Sequence, residues 1–241
     1  MKFSVKDLNE FKEGLIIPIN KPYDWTSFDA VRKVKNLILT KFRNQPGERT
    51  KKLKVGHAGT LDPLAQGLIL LCTGKATKKI QELQDAPKEY IATIELGKTT
   101  PSHDLETLYD QEYPIDHITE SFVKNTLAGF IGKQEQVPPI YSAKNVNGKR
   151  AYEFARKGLD LELKPSLITI TEIELTKFNL PVIEIRIVCS KGTYIRSLAN
   201  DIGKALNSGG HLVNLIRTRI GAYNLDSSVT INEFEKILTT L

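Results

Sequence analysis

The sequence predicts a mixed-sheet α/β or α+β domain, and three observations carry that prediction. Residues 182–189, VIEIRIVC, alternate apolar and charged positions. Residues 26–42 and 195–206 repeat apolar side chains at helical intervals. Strands and helices then follow one another without the strict alternation of a parallel βαβ array.

Taken in order, GLIIPIN at 15–21 reads as a short buried strand that turns at Asn20-Lys21-Pro22. Thr26 and Asp29 have capping-box spacing, and Phe28, Val31, Val34, Ile38 and Phe42 follow at helical intervals. The outer face of that helix carries Arg32, Lys33, Lys35 and Lys41, and it ends in the polar loop RNQPGERTKKLK. EYIATIEL at 89–96 reads as a strand closed by Gly97. Ile183, Ile185, Ile187 and Cys189 share one strand face. After Lys191-Gly192, Ile195, Leu198, Ala199, Ile202 and Leu206 line a helix that stops at Gly209-Gly210. Residues 119–130 and 232–241 are further helices.

The 241 residues hold 34 Lys+Arg against 28 Asp+Glu, a net charge of +6. That charge is unevenly placed. Arg32 to Lys54 contains nine basic residues and one acid, whereas 81–120 contains ten acids and two lysines. A solvated charge run is the plainer reading of the first stretch, and a polyanion-binding face is the sharper one. No apolar run approaches the roughly 20 residues of a membrane span, and the N-terminus lacks a signal-peptide pattern. Two distant cysteines, Cys72 and Cys189, argue against a disulfide scaffold and fit a reducing cytoplasm.

Several chemistries are poorly supported. There is no G-x-G-x-x-G and no G-x-S-x-G, and the four histidines never adopt metal-ligand spacing. TGKAT at 73–77 resembles a P-loop ending, but Ile69 stands where its first glycine belongs. No metal and no nucleotide cofactor is expected. One segment is unusual: GHAGTLDPLAQG at 56–67, running into Leu68-Ile69-Leu70-Leu71-Cys72. Gly56 and Gly59 allow a loop conformation other residues resist, and Asp62 would stand at the lip of a buried strand. A lone Asp-Pro is otherwise a helix cap or a turn.

This segment resembles the catalytic motif of the TruB-type tRNA pseudouridine synthases, whose usual form is close to GHTGTLDPLATG. Four further blocks resemble that family in order. They are GLIIPINKPYDWTSFDAVRKVK, KEYIATIELGKTTPSHD, QVPPIYSAKNVNGKRAYEFARKG, and CSKGTYIRSLANDIG with GGHLVNLIRTRIG. The resemblance implies an α+β pseudouridine synthase fold: a mixed, largely antiparallel sheet flanked by helices, with a thumb insertion. It also implies isomerisation of uridine 55 in the tRNA T-arm loop, without cofactor.

On this resemblance Asp62 is the nucleophile, Arg196 the arginine paired with it, and Tyr90 the aromatic residue on the target base. Without it, Arg196 would be an ordinary helix-start arginine and Tyr90 a core tyrosine. Tyr194 and Leu215 match the uridine pocket, Lys21 and Asp104 join the substrate-binding set, and His57 matches the residue that fills the space left by the flipped base. The core could equally explain Tyr194 and Leu215. Lys33, Lys35, Lys51, Lys52, Lys144, Lys149 and Arg150 are expected against RNA phosphates. Ala58 and Gln66 stand where the family has threonine. Ser102 replaces a threonine and Thr107 a glycine, which alters the loop after Gly97 rather than the reaction.

The expectation is one catalytic domain over 1–241, with a thumb-like RNA-binding insertion at 133–160 and no C-terminal PUA domain. It would act as a monomeric cytoplasmic enzyme on the T-arm stem-loop. A non-catalytic tRNA-binding or folding protein on the same scaffold is one rival, and a synthase with another main RNA target is a second.

Overall fold

The computed structural model describes residues 3–45, 52–142, 144–146, 148–155, 161 and 163–241. In chain order the elements begin with α1 (Asn9–Glu13), β1 (Ile16–Lys21), α2 (Ser27–Arg43), β2 (Val55–Ala58), β3 (Ala65–Thr73), α3 (Ile80–Asp85) and β4 (Lys88–Leu96). There follow β5 (Lys98–Thr99), β6 (Gln111–Glu112), α4 (Glu120–Ala128), β7 (Gly132–Gln136), β8 (Asn145–Val146), β9 (Lys149–Arg150) and α5 (Ala151–Ala155). The chain ends with β10 (Ser166–Asn179), β11 (Val182–Cys189), α6 (Ile195–Ala205), β12 (Gly210–Ile220), β13 (Tyr223–Asn224), β14 (Val229–Thr230) and α7 (Ile231–Thr239). These form two units, Met1–Glu89 with Ile216–Leu241, and Tyr90–Leu215.

In the first unit β3 pairs antiparallel with β1 through Ile16↔Cys72 to Lys21↔Gly67, and with β2 through Val55↔Thr73 to Ala58↔Leu70. β1 pairs parallel with β14. β3 is buried on both faces, which is why its sequence reads as a continuous apolar run rather than an alternation. Ile69 and Leu71 join a core with Ile17 and Ile19 of β1, Val34, Ile38 and Phe42 of α2, Phe11 of α1 and Phe234 of α7. Leu68 and Leu70 face the other way, into a smaller cluster with Ala58 and Ile220. Each such fully buried side chain contributes about 1.5–3 kcal/mol, so these two layers hold the hairpin β2–β3 firmly.

Helix α2 starts where its sequence says. The Thr26 side chain accepts from Asp29 N and the Asp29 carboxylate accepts from Thr26 N, a complete capping box. Phe28, placed by periodicity on the core face, is 66% exposed; buried Ser27 faces inward instead. A position in the first helical turn, still at the edge of the packed layer, need not follow the stripe set by the later turns.

In the second unit the strand order is β4-β11-β10-β7. β10 pairs antiparallel with both β11 and β7. Tyr90, Ala92, Ile94 and Leu96 of β4 and Ile183, Ile185 and Ile187 of β11 are buried, as their alternation requires. Helix α4, capped by Thr119, lies against β10 and α6. β7 opens the segment expected as an insertion, yet it is in register with β10 from Gly132↔Ile170 to Gln136↔Ser166. The two-residue strands β8 and β9 pair with each other beyond it. β3 with β1 and β2, β10 with β11 and β7, and β12 with β13 pair antiparallel and β1 with β14 parallel, so the mixed, largely antiparallel sheet flanked by helices stands as read.

Candidate functional site

Asp62 sits, half-buried, in the turn between β2 and β3. The backbone around it is gripped from two directions. On one side Ser27, the first residue of α2, accepts from Leu61 N at 2.8 Å and donates to Leu61 O at 3.0 Å. Beside it, Pro63 O accepts from Asp24 N at 2.9 Å and from Lys21 Nζ at 3.4 Å. Lys21 Nζ also donates to the carbonyls of Pro22 (2.9 Å) and Trp25 (2.5 Å).

From the other side comes Arg217, only 1% exposed. Its Nε donates to Leu68 O at 2.7 Å, Nη1 to Thr60 O at 3.2 Å and Nη2 to Gly59 O at 3.3 Å. Carbonyls at Gly59, Thr60, Leu61 and Pro63 are therefore all held by side chains, and the carboxylate-bearing residue lies among them. Fixing neighbouring backbone is how a loop positions a reactive group without touching it.

The electrostatics follow the burial. Burial pulls the Lys21 ammonium down to about 8, against the upward pull of the Asp62 carboxylate. His57 is also shifted down, first by burial, with a backbone hydrogen bond to Gly59 opposing and the Arg217 charge adding. His57 and Gly56 were expected in a loop, but they belong to strand β2. Gly56 takes no left-handed conformation; a Cβ there would meet Ile80 Cδ1 at 2.8 Å. The left-handed glycines of the motif are Gly59 (φ +87°) and Gly67 (φ +104°). At Gly67 a Cβ would also lie 2.5 Å from Arg217 O.

The second unit holds the other group of residues. Arg196 is 4% exposed, so it is no surface helix-start arginine. Its Nη1 donates to Tyr141 O at 2.9 Å and Ser102 O at 3.4 Å, and its Nε lies 3.5 Å from Asp104 Oδ2. Asp104, equally buried, accepts from Glu106 N at 2.9 Å, while its own carbonyl takes hydrogen bonds from Thr100 and Ser102. The two departures in this loop are partners: Ser102 Oγ and Thr107 Oγ1 are 2.9 Å apart, and Thr107 Oγ1 also accepts from Ser102 N. Tyr194 starts α6 between two bonds from Gln136, Oε1 accepting from Tyr194 N at 2.8 Å and Nε2 donating to Tyr194 O at 3.1 Å. Tyr90 and Leu215 are 8% and 6% exposed.

Of the expected phosphate contacts, Lys33 and Lys52 are exposed and Lys35 is half-buried. Lys144 Nζ is bonded within the protein, to Lys164 O at 2.8 Å and Ser166 Oγ at 3.1 Å. Lys51, and the side chains of Lys149 and Arg150, lie outside the described residues.

Residues 48–195 match the family model for the N-terminal domain of TruB family pseudouridylate synthases. The chain belongs to that family. Residues 196–240 match the C-terminal domain of tRNA pseudouridylate synthase B. Among its TruB relatives, the tRNA pseudouridine synthase B of Phocaeicola vulgatus is 55% identical over 228 residues, 95% of this chain and 94% of the relative. That of Flavobacterium johnsoniae is 52% identical over 229 residues, 95% and 98% of the two chains. In a crystal structure of a Cbf5–Nop10–Gar1 complex, one chain superposes with a TM-score of 0.70 at 25% identity, covering 96% of this chain and 56% of that one. A chain of an H/ACA RNP bound to a substrate RNA containing 2′-deoxyuridine shares the fold at 0.67 and 23% identity. This TruB chain thus spans just over half the length of each of those.

Three residues of the TruB chain escaped the sequence reading: Ser27, Gln136 and Arg217. The signal for Arg217 was present, since it lies two residues after Leu215 in β12 and so on the same strand face.

Proposed function

We propose that the chain isomerises uridine to pseudouridine at position 55 of the tRNA T-arm loop, with Asp62 as covalent nucleophile. The observation that carries this is the Asp62 turn, braced by Ser27, Lys21 and Arg217 through the carbonyls on either side of the carboxylate. A nucleophile held this way meets its target without reorganising its own backbone.

In this reading the base leaves its stack and Asp62 attacks the ribose or the base. The N1–C1′ bond breaks, the detached uracil rotates, a C5–C1′ bond forms, and the bond to Asp62 breaks so that its carboxylate is recovered. The C5 proton is lost and N1 gains one, so atoms balance and no electron donor or acceptor is consumed. Tyr90 packs on the base and assists proton removal at C5. Arg196, oriented by Asp104 and the Tyr141 and Ser102 carbonyls, pairs with the nucleophile. Tyr194 and Leu215 wall the uracil, and His57 fills the vacated stack, offsetting part of a flipping cost on the order of a few kcal/mol. A neutral imidazole suits that apolar role, as its lowered pKa provides. The enzyme works as a monomer in the reducing cytoplasm, where the buried free thiols Cys72 and Cys189 persist.

The test is carbodiimide-labelled primer extension on T-arm RNA, since the isomers have equal mass. Wild type is expected to give a stop at position 55, and Asp62→Asn to abolish it while still binding RNA. Binding without any stop by wild type would favour a non-catalytic RNA-binding protein. Full turnover by Asp62→Asn would overturn the nucleophile assignment alone.

A further inference from the structure

The first unit carries a groove that the reaction above does not use. It has a volume of about 330 Å³ and is lined by Asp24, Trp25, Asp29, Arg32, Lys33 and Asn36. Trp25 is the chain's single tryptophan and is half-buried, its inner side packed against the core around α2. Tyr23 and Phe28 stand on either side of it in sequence, 46% and 66% exposed. Of these aromatics only Trp25 lines the groove, and an indole beside Arg32 and Lys33 is the pairing on which an unpaired base stacks while cations hold the phosphate.

The polar groups are not interchangeable. The Asp29 carboxylate is occupied, accepting from Thr26 N and Oγ and from Arg32 Nη2 at 2.8 Å. Asp24 and Asn36 are exposed, as is Lys33. A carboxylate and an amide beside an indole suit a base that presents N–H donors, with Lys33 next to its phosphate. Asp24 is in addition held in the left-handed region (φ +63°), a conformation uncommon outside glycine, asparagine and aspartate.

The groove adjoins the catalytic turn by direct bonds. Asp24 N donates to Pro63 O at 2.9 Å, and Lys21 Nζ bridges Trp25 O and Pro63 O. Its floor is thus tied to the residue following Asp62. A chain whose target nucleotide lies at Asp62 has its next nucleotide within reach of Trp25.

We propose that this groove receives one unstacked nucleotide of the RNA, adjacent to the target uridine, with its base on Trp25 and its N–H edge at Asp24. The proposal rests on the uridine-isomerising reading and adds a second nucleotide subsite to it. The experiment follows Trp25 emission, which reports this groove alone, during titration with T-arm stem-loop RNA. RNA retention on filters and pseudouridine formation are measured in parallel.

Wild type is expected to show quenching that is lost when an abasic sugar replaces the nucleotide immediately 5′ or immediately 3′ of the target. Trp25→Ala should raise KM about tenfold or more, the worth of a stacked base, with kcat kept. Trp25→Phe should restore most of it. Should Trp25→Ala fail to fold, the exposed substitutions Lys33→Glu and Asn36→Ala carry the test, each expected to raise KM. Pseudouridine formation with unchanged Trp25 emission and unchanged KM in these variants would overturn the groove and leave the reaction standing. Quenching on binding without pseudouridine would do the reverse. Absence of RNA retention would overturn both.

Discussion

Arg217 is the most consequential side chain outside the residues assigned to chemistry. A fully buried guanidinium has few ways to recover its lost hydration, and this one does so on the carbonyls of Gly59, Thr60 and Leu68. Each buried acceptor left unsatisfied costs roughly 1–3 kcal/mol. Arg217→Ala is therefore expected to lower unfolding free energy in urea by several times the cost of an ordinary surface change. Arg217→Lys, which reaches one carbonyl at a time, is expected to recover much of that stability yet still lower kcat, with KM for RNA little changed, because the Asp62 turn is no longer held at two points. A Lys variant with wild-type kcat would show that the guanidinium fork is not needed to position Asp62. Ser102 and Thr107 teach a related lesson: each looked like a separate departure, whereas their hydroxyls satisfy one another at 2.9 Å. Thr107→Gly alone is expected to weaken the Arg196–Asp104 loop and reduce turnover, and Thr107→Ser to preserve it.

Among the elements, α2 shows the economy of local signals. Thr26→Ala removes the cap from Asp29 N and is expected to cost about 1 kcal/mol in a urea melt. It also loosens the segment joining Trp25 to Ser27. Elements with one buried face were legible from periodicity: β4, β11, α2 and α6 appear close to where their apolar repeats put them. β10 was not, although it is the longest of the strands described, at 14 residues. Its apolar alternation changes phase twice, from Ile168 and Ile170 to Ile173 and Leu175 and then to Phe178, at the two register shifts against β11, so no single period-2 stripe runs its length. β2 was missed for another reason. Its glycine and histidine look like loop residues, and only the pairing with β3 makes them a strand. The site divides likewise: Asp62 was legible as a motif, but the braces on it are not, because a buried arginine or lysine reads as a surface charge until its carbonyl partners are seen.

For the whole molecule, pH and salt are the accessible variables. Burial, then the positive charges of Lys204 and Arg196, push the His103 imidazole down to about 4. The unfolded chain takes up that proton near pH 6.5 and the folded chain only near 4, so stability from this group falls as pH drops through that window. His103→Asn, which tolerates the left-handed backbone there (φ 61°), should flatten this part of the Tm–pH curve relative to wild type. An identical slope would dismiss His103 as its source. RNA affinity should fall with salt, and charge reversal at Lys33, Lys35 and Lys52 should make that dependence shallower. The first unit is also discontinuous, built from residues 1–89 and 216–241. Arg217 and Leu68 are 149 positions apart in sequence. During synthesis the Asp62 turn is made well before the arginine that braces it. Closing a loop over that separation is thus required before the Asp62 turn gains its arginine brace.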